Sequence, residues 1–231
     1  MSKSITLDAD IIEFDLDGTL VYTTSVVEKL WSELAIQHGV DPHTVLNDSH
    51  GARTSETFAK YFPMIDNTDN KAVEKFEKDI PDNYGHLVKI IPGTIELLNG
   101  IDKDRWCIVT SGSNYIANSW FNGILKDVQK PKVFITAELV TNGKPDPEGY
   151  LKGDKILSES LGITSEHKKI VFEDAPMGVK AGVASGAIVI GVNSGNNAKL
   201  LYESGASYVV KDLTDIKVLD ANKVSLEVRY D

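Results

Sequence analysis

The stretch that decides the fold is Phe14-Asp15-Leu16-Asp17-Gly18-Thr19-Leu20, which directly follows an apolar run near the start of the chain. Two carboxylates one residue apart, Asp15 and Asp17, are often no more than exposed turn residues. Here Asp15 continues a buried strand, where an unpaired carboxylate is costly in free energy. A plain exit from strand to turn is the alternative. The position of Asp15 instead indicates a metal-binding or phosphate-handling role.

Apolar runs recur along the chain, each followed by a small or turn residue and then by a helical pattern. Most are too continuous for half-exposed strands and are typical of a parallel sheet covered on both faces. Helices are expected between them at about residues 114–125, 147–161, 176–185 and 196–204. This alternation predicts an α/β fold, a doubly wound Rossmann-like parallel sheet with ligands at the carboxyl ends of its strands. The runs are Ile11 to Phe14, Trp106 to Val109, Val133 to Ile135, Ile170 to Phe172, Ala187 to Val192 and Tyr208 to Val210.

The pattern changes between the first and second runs. Residues 22–90 show no strand-like run and carry helical spacing instead, as between Val27 and Ala35. Pro92 disfavours helix before it, so the chain is expected to return to the sheet near that point. The sequence therefore predicts a helical cap, residues 22–90, inserted into a catalytic core formed by residues 1–21 and 91–231.

Composition limits the classes of function. The 231 residues are 42% hydrophobic and 25% charged, as in an ordinary globular protein, and the formal net charge of -10 argues against nucleic acid as a partner. The single cysteine, Cys107, lies in an apolar run and is expected to be a small buried side chain. No signal peptide and no membrane span are expected, and the predicted location is the cytoplasm.

Three further strand ends carry polar side chains. Ser111-Gly112 precedes a helix and places a hydroxyl and free N–H groups where an anion would bind, although Ser-Gly is also a common turn. Lys144 precedes Pro145, which holds it extended just before a helix, whereas most isolated lysines are simply solvated. Glu173-Asp174 ends another run, and Asp174 is also a candidate helix N-cap, a role compatible with metal binding.

Together these strand ends predict phosphoryl-transfer chemistry. Magnesium prefers hard oxygen ligands and usually keeps waters and a substrate phosphate. A lysine and a hydroxyl supply positive charge and hydrogen bonds to phosphoryl oxygens, and a carboxylate free to attack phosphorus gives covalent catalysis.

These motifs, in this order, resemble the haloacid dehalogenase superfamily, and the insertion after the first strand is similar to the cap of its β-phosphoglucomutase-like branch. The resemblance implies that Asp15 is the nucleophile and Asp17 the general acid and then base. Ser111, Gly112 and Lys144 would hold the phosphoryl group.

The resemblance also implies a Mg²⁺ site. The ion would be held by Asp15, the backbone carbonyl of Asp17 and Asp174, with Glu173 close by.

A closer resemblance, to the fungal 2-deoxyglucose-6-phosphate phosphatases, is carried by Ser49 to Thr54, Lys130 to Thr136 and Gly143 to Tyr150. The related glycerol-phosphate phosphatases share less of this sequence. By this resemblance Arg53 on the cap would reach the substrate with His50 nearby, the alternative being a solvated cluster at a helix end. Arg53 and His50 would then matter more for some substrates than for others, whereas Ser111 and Lys144 in the core would matter for every substrate.

Two positions depart from the family pattern. Glu13, two residues before Asp15, replaces an apolar residue and needs a partner or a proton. Val27 stands near where the mutase branch carries a histidine.

The predicted function is Mg²⁺-dependent hydrolysis of a small sugar or polyol phosphate by a monomeric enzyme. A glycerol-phosphate phosphatase, a sugar-phosphate mutase and a catalytically silent binding protein remain as alternatives, and a dehalogenase would not need a proton donor at Asp17.

Overall fold

A six-stranded parallel sheet forms the centre of the molecule. The computed structural model describes residues 3–195, 198–220 and 224–230. The strand order in the sheet is β6-β5-β2-β7-β8-β9, and every neighbouring pair is parallel. The strands are β2 (Ile11–Phe14), β5 (Trp106–Val109), β6 (Phe134–Ile135), β7 (Lys169–Glu173), β8 (Ile188–Val192) and β9 (Tyr208–Val210). The predicted doubly wound α/β fold is confirmed.

The continuous apolar runs form strands because both faces of this sheet are buried. Ile12 and Phe14 pack into one hydrophobic cluster, and Ile11, from the same strand, packs into a second cluster on the opposite face. Phe14 stacks on Phe172 of the neighbouring strand, with 4.8 Å between ring centroids. Burial on both faces requires apolar side chains at both phases of the strand, as the sequence has them.

The strand order places β2 between β5 and β7, with the later strands added outward on either side. The chain therefore reverses its direction of winding at β2. In open α/β sheets ligands bind beyond the carboxyl ends of the strands at such a switch point. Asp15 directly follows β2 and thus lies at the position where the fold favours a site.

Within the described ranges, five helices follow strands of this sheet or precede them. They are α5 (Thr94–Gly100), α6 (Asn114–Asn122), α7 (Glu148–Leu161), α8 (Pro176–Ala184) and α9 (Ala198–Glu203). Helix α6 ends three residues earlier than expected, because Gly123 follows it with its N–H bonded to the carbonyl of Trp120. The first two residues of the helix predicted at 196–204 lie outside the described residues.

The segment between β3 (Val21–Tyr22) and β4 (Lys89–Ile90) is helical, as predicted, and these two short strands pair antiparallel at its base. Trp31, Phe58, Phe62 and Phe76 form an aromatic cluster, with Trp31 stacked on Phe76 at 4.1 Å between centroids. This cluster holds the helices together. They are α1 (Thr24–Gln37), α2 (Pro42–Ser49), α3 (Thr54–Tyr61) and α4 (Lys71–Tyr84).

A second, antiparallel sheet was not predicted. It has the order β1-β11-β10, with β1 (Lys3–Ala9), β10 (Ile216–Asp220) and β11 (Val224–Tyr230). Its central strand β11 alternates buried and partly buried residues, with Val224, Leu226 and Val228 buried. Such alternation leaves no continuous apolar run in the sequence, which was the pattern that predicted the strands of the parallel sheet.

Cys107 is fully buried, in agreement with the sequence. Among the helices that the structure describes, none has both the length and the apolarity needed to cross a membrane.

Candidate active site

The carboxyl ends of three adjacent strands bring the predicted polar residues to one edge of the sheet. Asp15 follows β2, Ser111 lies just beyond β5, and Glu173 ends β7 with Asp174 after it. Because β2 pairs with both β5 and β7, these side chains converge in space although they are far apart in sequence.

Lys144 links the buried carboxylates. Its Nζ donates to Asp15 Oδ1 and to Glu173 Oε1 at 2.6 Å each, and to the carbonyl of Val109 at 3.2 Å. Burial alone would lower the pKa of Lys144, but the charges of Asp15 and Glu173 outweigh burial and raise it, so the side chain stays cationic. The alternative of a solvated lysine is wrong, since only 7% of Lys144 is exposed.

Glu173 is the anchor of this network. Its Oε1 accepts from the hydroxyl of Tyr150 at 2.9 Å in addition to Lys144, and its Oε2 accepts from the backbone N–H of Ala175 at 3.1 Å. Gly178 makes room for this carboxylate, since a Cβ there would lie 1.7 Å from Glu173 Oε1. Because both of its oxygens accept hydrogen bonds, Glu173 fixes the position of Lys144. The acceptor positions that stay open belong to the neighbouring carboxylates.

Asp15 has one oxygen held and the other available. Lys144 binds Oδ1, whereas Oδ2 is buried without a hydrogen-bond partner among the described residues. Burial raises the pKa of Asp15 to about 7 although the Lys144 charge opposes this. An unpartnered buried carboxylate oxygen is costly unless a ligand completes it.

Asp174 lies beside this open oxygen. Its Oδ1 accepts from Thr19 Oγ1 at 3.0 Å, and burial, reinforced by the charge of Asp15, raises its pKa well above the usual range. Gly18, with a φ of +97°, is required here because a Cβ would lie 2.0 Å from Asp174 Oδ2. The N-capping alternative for Asp174 is wrong, because Ala175 occupies the N-cap of α8 and Pro176 its first turn.

These carboxylates fit a divalent cation. Asp15, Glu173 and Asp174 each offer a ligand atom, and those atoms lie within 4.8 Å of one another. The set consists of hard oxygens, and its negative charge exceeds the one positive charge of Lys144. Magnesium suits such a donor set.

Asp17 is held apart from this cluster. The indole N–H of Trp120 donates to Asp17 Oδ1 at 3.0 Å, and the side chain of Thr23 is a second hydrogen-bond partner. Burial raises the pKa of Asp17, and these two hydrogen bonds oppose the increase. Two hydrogen bonds thus fix the orientation of the Asp17 side chain.

Ser111 contacts the helical segment directly. Its Oγ donates to the backbone carbonyl of Gly51 at 2.7 Å, so the segment lies over the end of β5. The backbone N–H of Gly112 donates to Thr110 Oγ1 at 3.0 Å, and Ser113 caps α6 through the N–H of Ile116.

A cavity lies between the sheet edge and the helical segment. Ile80, Phe76 and Trp31 form part of its apolar wall. The predicted site residues that line it are Asp15, Asp17, His50, Ser111, Gly112, Glu173 and Asp174, and Lys144 lies behind Asp15 and Glu173.

Arg53, predicted to reach the substrate, lies outside this cavity. Its Nη1 donates to the carbonyl of Val140 and its Nη2 to that of Thr141, each at 3.0 Å, and Glu56 accepts from Nε at 3.0 Å. Gly143 lies directly beneath, since a Cβ there would be 2.9 Å from Arg53 Nε. The structure thus places Arg53 as a link between the helical segment and the loop before Lys144.

Glu13, which the sequence left unexplained, lies behind the site. It is fully buried, its Oε1 is 3.9 Å from Cys107 Sγ, and its Oε2 has no hydrogen-bond partner among the described residues. Burial raises its pKa well above the usual range although Lys169 opposes this. Burial thus favours the protonated form of Glu13, and the charge of Lys169 favours the ionised form.

The sequence did not single out several contributors, among them Thr19, Trp120, Tyr150 and Glu28, the last of which lines the cavity. Thr19 lies within the stretch that decides the fold, but the sequence assigned it no role of its own. Trp120 and Tyr150 lie at the expected buried positions of helices, so nothing local marks them as partners of Asp17 and Glu173.

Comparison with known proteins now gives the family. The family model described as haloacid dehalogenase-like hydrolase matches residues 12–192, which is well over half of the chain. The chain belongs to the haloacid dehalogenase-like hydrolase family. The predicted superfamily is confirmed.

Two curated relatives of this family member come from Saccharomyces cerevisiae. "2-deoxyglucose-6-phosphate phosphatase 2" is 49% identical over 95% of this chain and 94% of its own length. "Glycerol-1-phosphate phosphohydrolase 1" is 36% identical over 98% and 92%. The predicted closer resemblance to the first group is confirmed. A solved hydrolase from Pseudomonas syringae has the same fold, with a TM-score of 0.71 at 24% identity over 89% of this chain and 95% of its own.

Proposed function

We propose that this protein is a Mg²⁺-dependent phosphatase of small sugar and polyol phosphates, 2-deoxyglucose 6-phosphate among them, that works through an aspartyl-phosphate on Asp15. The observation that carries the proposal is the state of Asp15, whose Oδ1 is fixed by Lys144 while Oδ2 has no hydrogen-bond partner among the described residues. In this proposal residues 22–90 are the cap, and residues 1–21 and 91–231 form the core.

The first half-reaction forms the intermediate. Asp15 Oδ2 attacks phosphorus, the bond from phosphorus to the leaving oxygen breaks, and that oxygen takes a proton from Asp17. Lys144 keeps Asp15 oriented and offsets the charge of Glu173 beside it. Ser111 and the N–H of Gly112 at the end of β5 are the proposed partners of the phosphoryl oxygens, in exchange for the carbonyl of Gly51 and the hydroxyl of Thr110 to which they donate in this structure.

The second half-reaction regenerates the enzyme. A water molecule attacks phosphorus, Asp17 takes its proton, and the bond from phosphorus to Asp15 breaks to release inorganic phosphate. Bound Mg²⁺ supplies electrostatic stabilisation of the phosphoryl charge, and Asp15, Asp174 and the backbone carbonyl of Asp17 would hold it with Glu173 nearby.

The relatives support a neutral, hydroxyl-bearing leaving group. A relative at 49% identity is named for 2-deoxyglucose 6-phosphate and one at 36% for glycerol 1-phosphate. Glycerol-phosphate hydrolysis therefore remains the second candidate function. The proposal keeps the sequence-based expectations of a monomeric, cytoplasmic enzyme whose partner is a small phosphorylated metabolite.

The test is a phosphate-release screen over sugar and polyol phosphates, with and without Mg²⁺, with product analysis by chromatography. Free phosphate and the dephosphorylated sugar support the proposal. An isomeric sugar phosphate without free phosphate would indicate a mutase, and no turnover of any substrate would indicate a binding protein.

A further inference from the structure

The cavity above Asp15 is strongly acidic. Four carboxylates line its core end: Asp15, Asp17, Glu173 and Asp174. A fifth, Glu28, lines it from the helical segment. Of the lining residues that the structure describes, none is lysine or arginine, and the one basic group is His50. The part of the cavity that faces a leaving group is therefore not built to receive a second anion.

Glu28 is presented to the cavity by the geometry of α1. Thr24, Val27, Glu28 and Trp31 all line it. Their spacing of three, one and three residues places them on a single face of the helix. The carboxylate of Glu28 thus belongs to the same surface as the apolar wall formed by Val27 and Trp31.

His50 holds the Glu28 side chain. His50 lies at the end of α2, and its Nε2 is 3.1 Å from Glu28 Oε1. The two side chains keep 41% and 42% of their surface exposed, so both can still contact a molecule in the cavity. A pair this exposed adds little to stability. A purely structural role does not explain why the pair of His50 and Glu28 lies in the cavity.

We propose that Glu28, oriented by His50, selects the leaving group of the reaction. Its carboxylate accepts hydrogen bonds from the hydroxyls of an uncharged sugar or polyol, and it repels a leaving group that carries a carboxylate or a second phosphate. Hydrogen bonds to an ionised acceptor are the stronger kind, and like charges placed together are strongly unfavourable. This inference rests on the proposed phosphatase function and adds the class of substrate that the enzyme rejects.

The experiment compares substrates that differ in one group. Glycerol 3-phosphate and 3-phosphoglycerate differ by a hydroxymethyl against a carboxylate, and glucitol 6-phosphate and 6-phosphogluconate form a second pair with the same difference. kcat/KM is measured for wild type and Glu28→Gln at fixed ionic strength. Wild type is expected to prefer the uncharged member of each pair. Glu28→Gln is expected to lower that preference about 10- to 150-fold, the equivalent of one hydrogen bond to a charged group.

A matched control is available on the same helix. Glu33 also lies on α1, but it lines a different groove and faces Lys29 at 3.9 Å. Glu33→Gln removes the same charge from the same helix and should leave the preference unchanged. An equal loss of preference in Glu33→Gln would mean that the net charge of the protein selects the substrate, and the proposal would be overturned.

Failure of this inference is distinguishable from failure of the proposed function. If wild type releases phosphate but Glu28→Gln keeps the wild-type preference, Glu28 has no selective role. If wild type releases no phosphate, the proposed function fails. The selective role of Glu28 is then tested by binding: calorimetry gives the affinities of Asp15→Asn, and of Asp15→Asn combined with Glu28→Gln, for the two members of each pair. Equal affinity ratios in both backgrounds would refute it, and a ratio that falls with Glu28→Gln would support it.

Discussion

Removal of the indole N–H of Trp120 should slow the chemical step. Trp120 Nε1 donates to Asp17 Oδ1 at 3.0 Å, and Trp120 is only 3% exposed. Trp120→Phe keeps an aromatic ring in the same buried position and deletes the donor. Asp17 would then be oriented by Thr23 alone.

The size of the effect follows from the hydrogen bond. A hydrogen bond to a charged group contributes about 1.5–3 kcal/mol, equivalent to about 10- to 150-fold in rate. Because Thr23 remains as a partner of Asp17, kcat should fall toward the lower end of that range. KM should change little, since Asp17 transfers the proton and the phosphoryl group is held elsewhere. The factor should be the same for every substrate.

The assay is steady-state phosphate release by Trp120→Phe, with Trp106→Phe as the matched control. Trp106 is fully buried in the same half of the sheet, and its Nε1 has no hydrogen-bond partner within the described residues. Both variants lose the same atoms and should be destabilised by their lost packing. Beyond this shared destabilisation, only Trp120→Phe should also have a lower kcat. Equal values of kcat in the two variants would refute the positioning of Asp17 by Trp120.

Three further predictions concern the neighbours of this site. Burial raises the pKa of Glu13 in the folded state above its value in the unfolded chain. The contribution of Glu13 to the free energy of unfolding is therefore fully present below the unfolded pKa, and it is lost as pH rises, by about 1.4 kcal/mol per pH unit between the two pKa values. Urea unfolding of Glu13→Gln from pH 5 to 8 should therefore show a smaller loss of stability than wild type, and parallel profiles would contradict a protonated Glu13. Arg53→Ala should lower kcat/KM by a similar factor, about tenfold or more, for glycerol, hexose and aryl phosphates, because Arg53 binds the loop at Val140 and Thr141 rather than the cavity. Unequal factors would instead support the expectation that it contacts the leaving group. EDTA should abolish phosphate release and Mg²⁺ should restore it, with Ca²⁺ a poor substitute because its coordination is larger and more flexible; full activity of a verified metal-free sample would exclude a metal role for Asp174.

The arrangement of the strand ends was predictable because it depends on local pattern and on one rule of topology. Asp15, Ser111 and Glu173 each follow a continuous apolar run, and parallel strands end at the same edge of a sheet. The position of Asp15 at the switch point required only that β2 be flanked by strands later in the sequence.

Contacts between distant segments could not be predicted in the same way. Arg53 and Val140 are 87 residues apart, and Trp120 and Asp17 are 103 apart. Whether such side chains meet depends on how the helical segment lies over the sheet, which periodicity does not determine. Glu28 was missed for the same reason, since a glutamate on an amphipathic helix has the local pattern of a solvated residue.

The most direct test of the central proposal is to look for the phosphoryl group on Asp15. Wild type is mixed with ³²P-labelled 2-deoxyglucose 6-phosphate and Mg²⁺, quenched in acid within one turnover, and digested to locate the label. We expect label on the peptide that contains Asp15, and we expect neither label nor phosphate release from a folded Asp15→Asn variant. Label on a different residue, or turnover by Asp15→Asn near the wild-type rate, would contradict the assignment of Asp15 as the nucleophile.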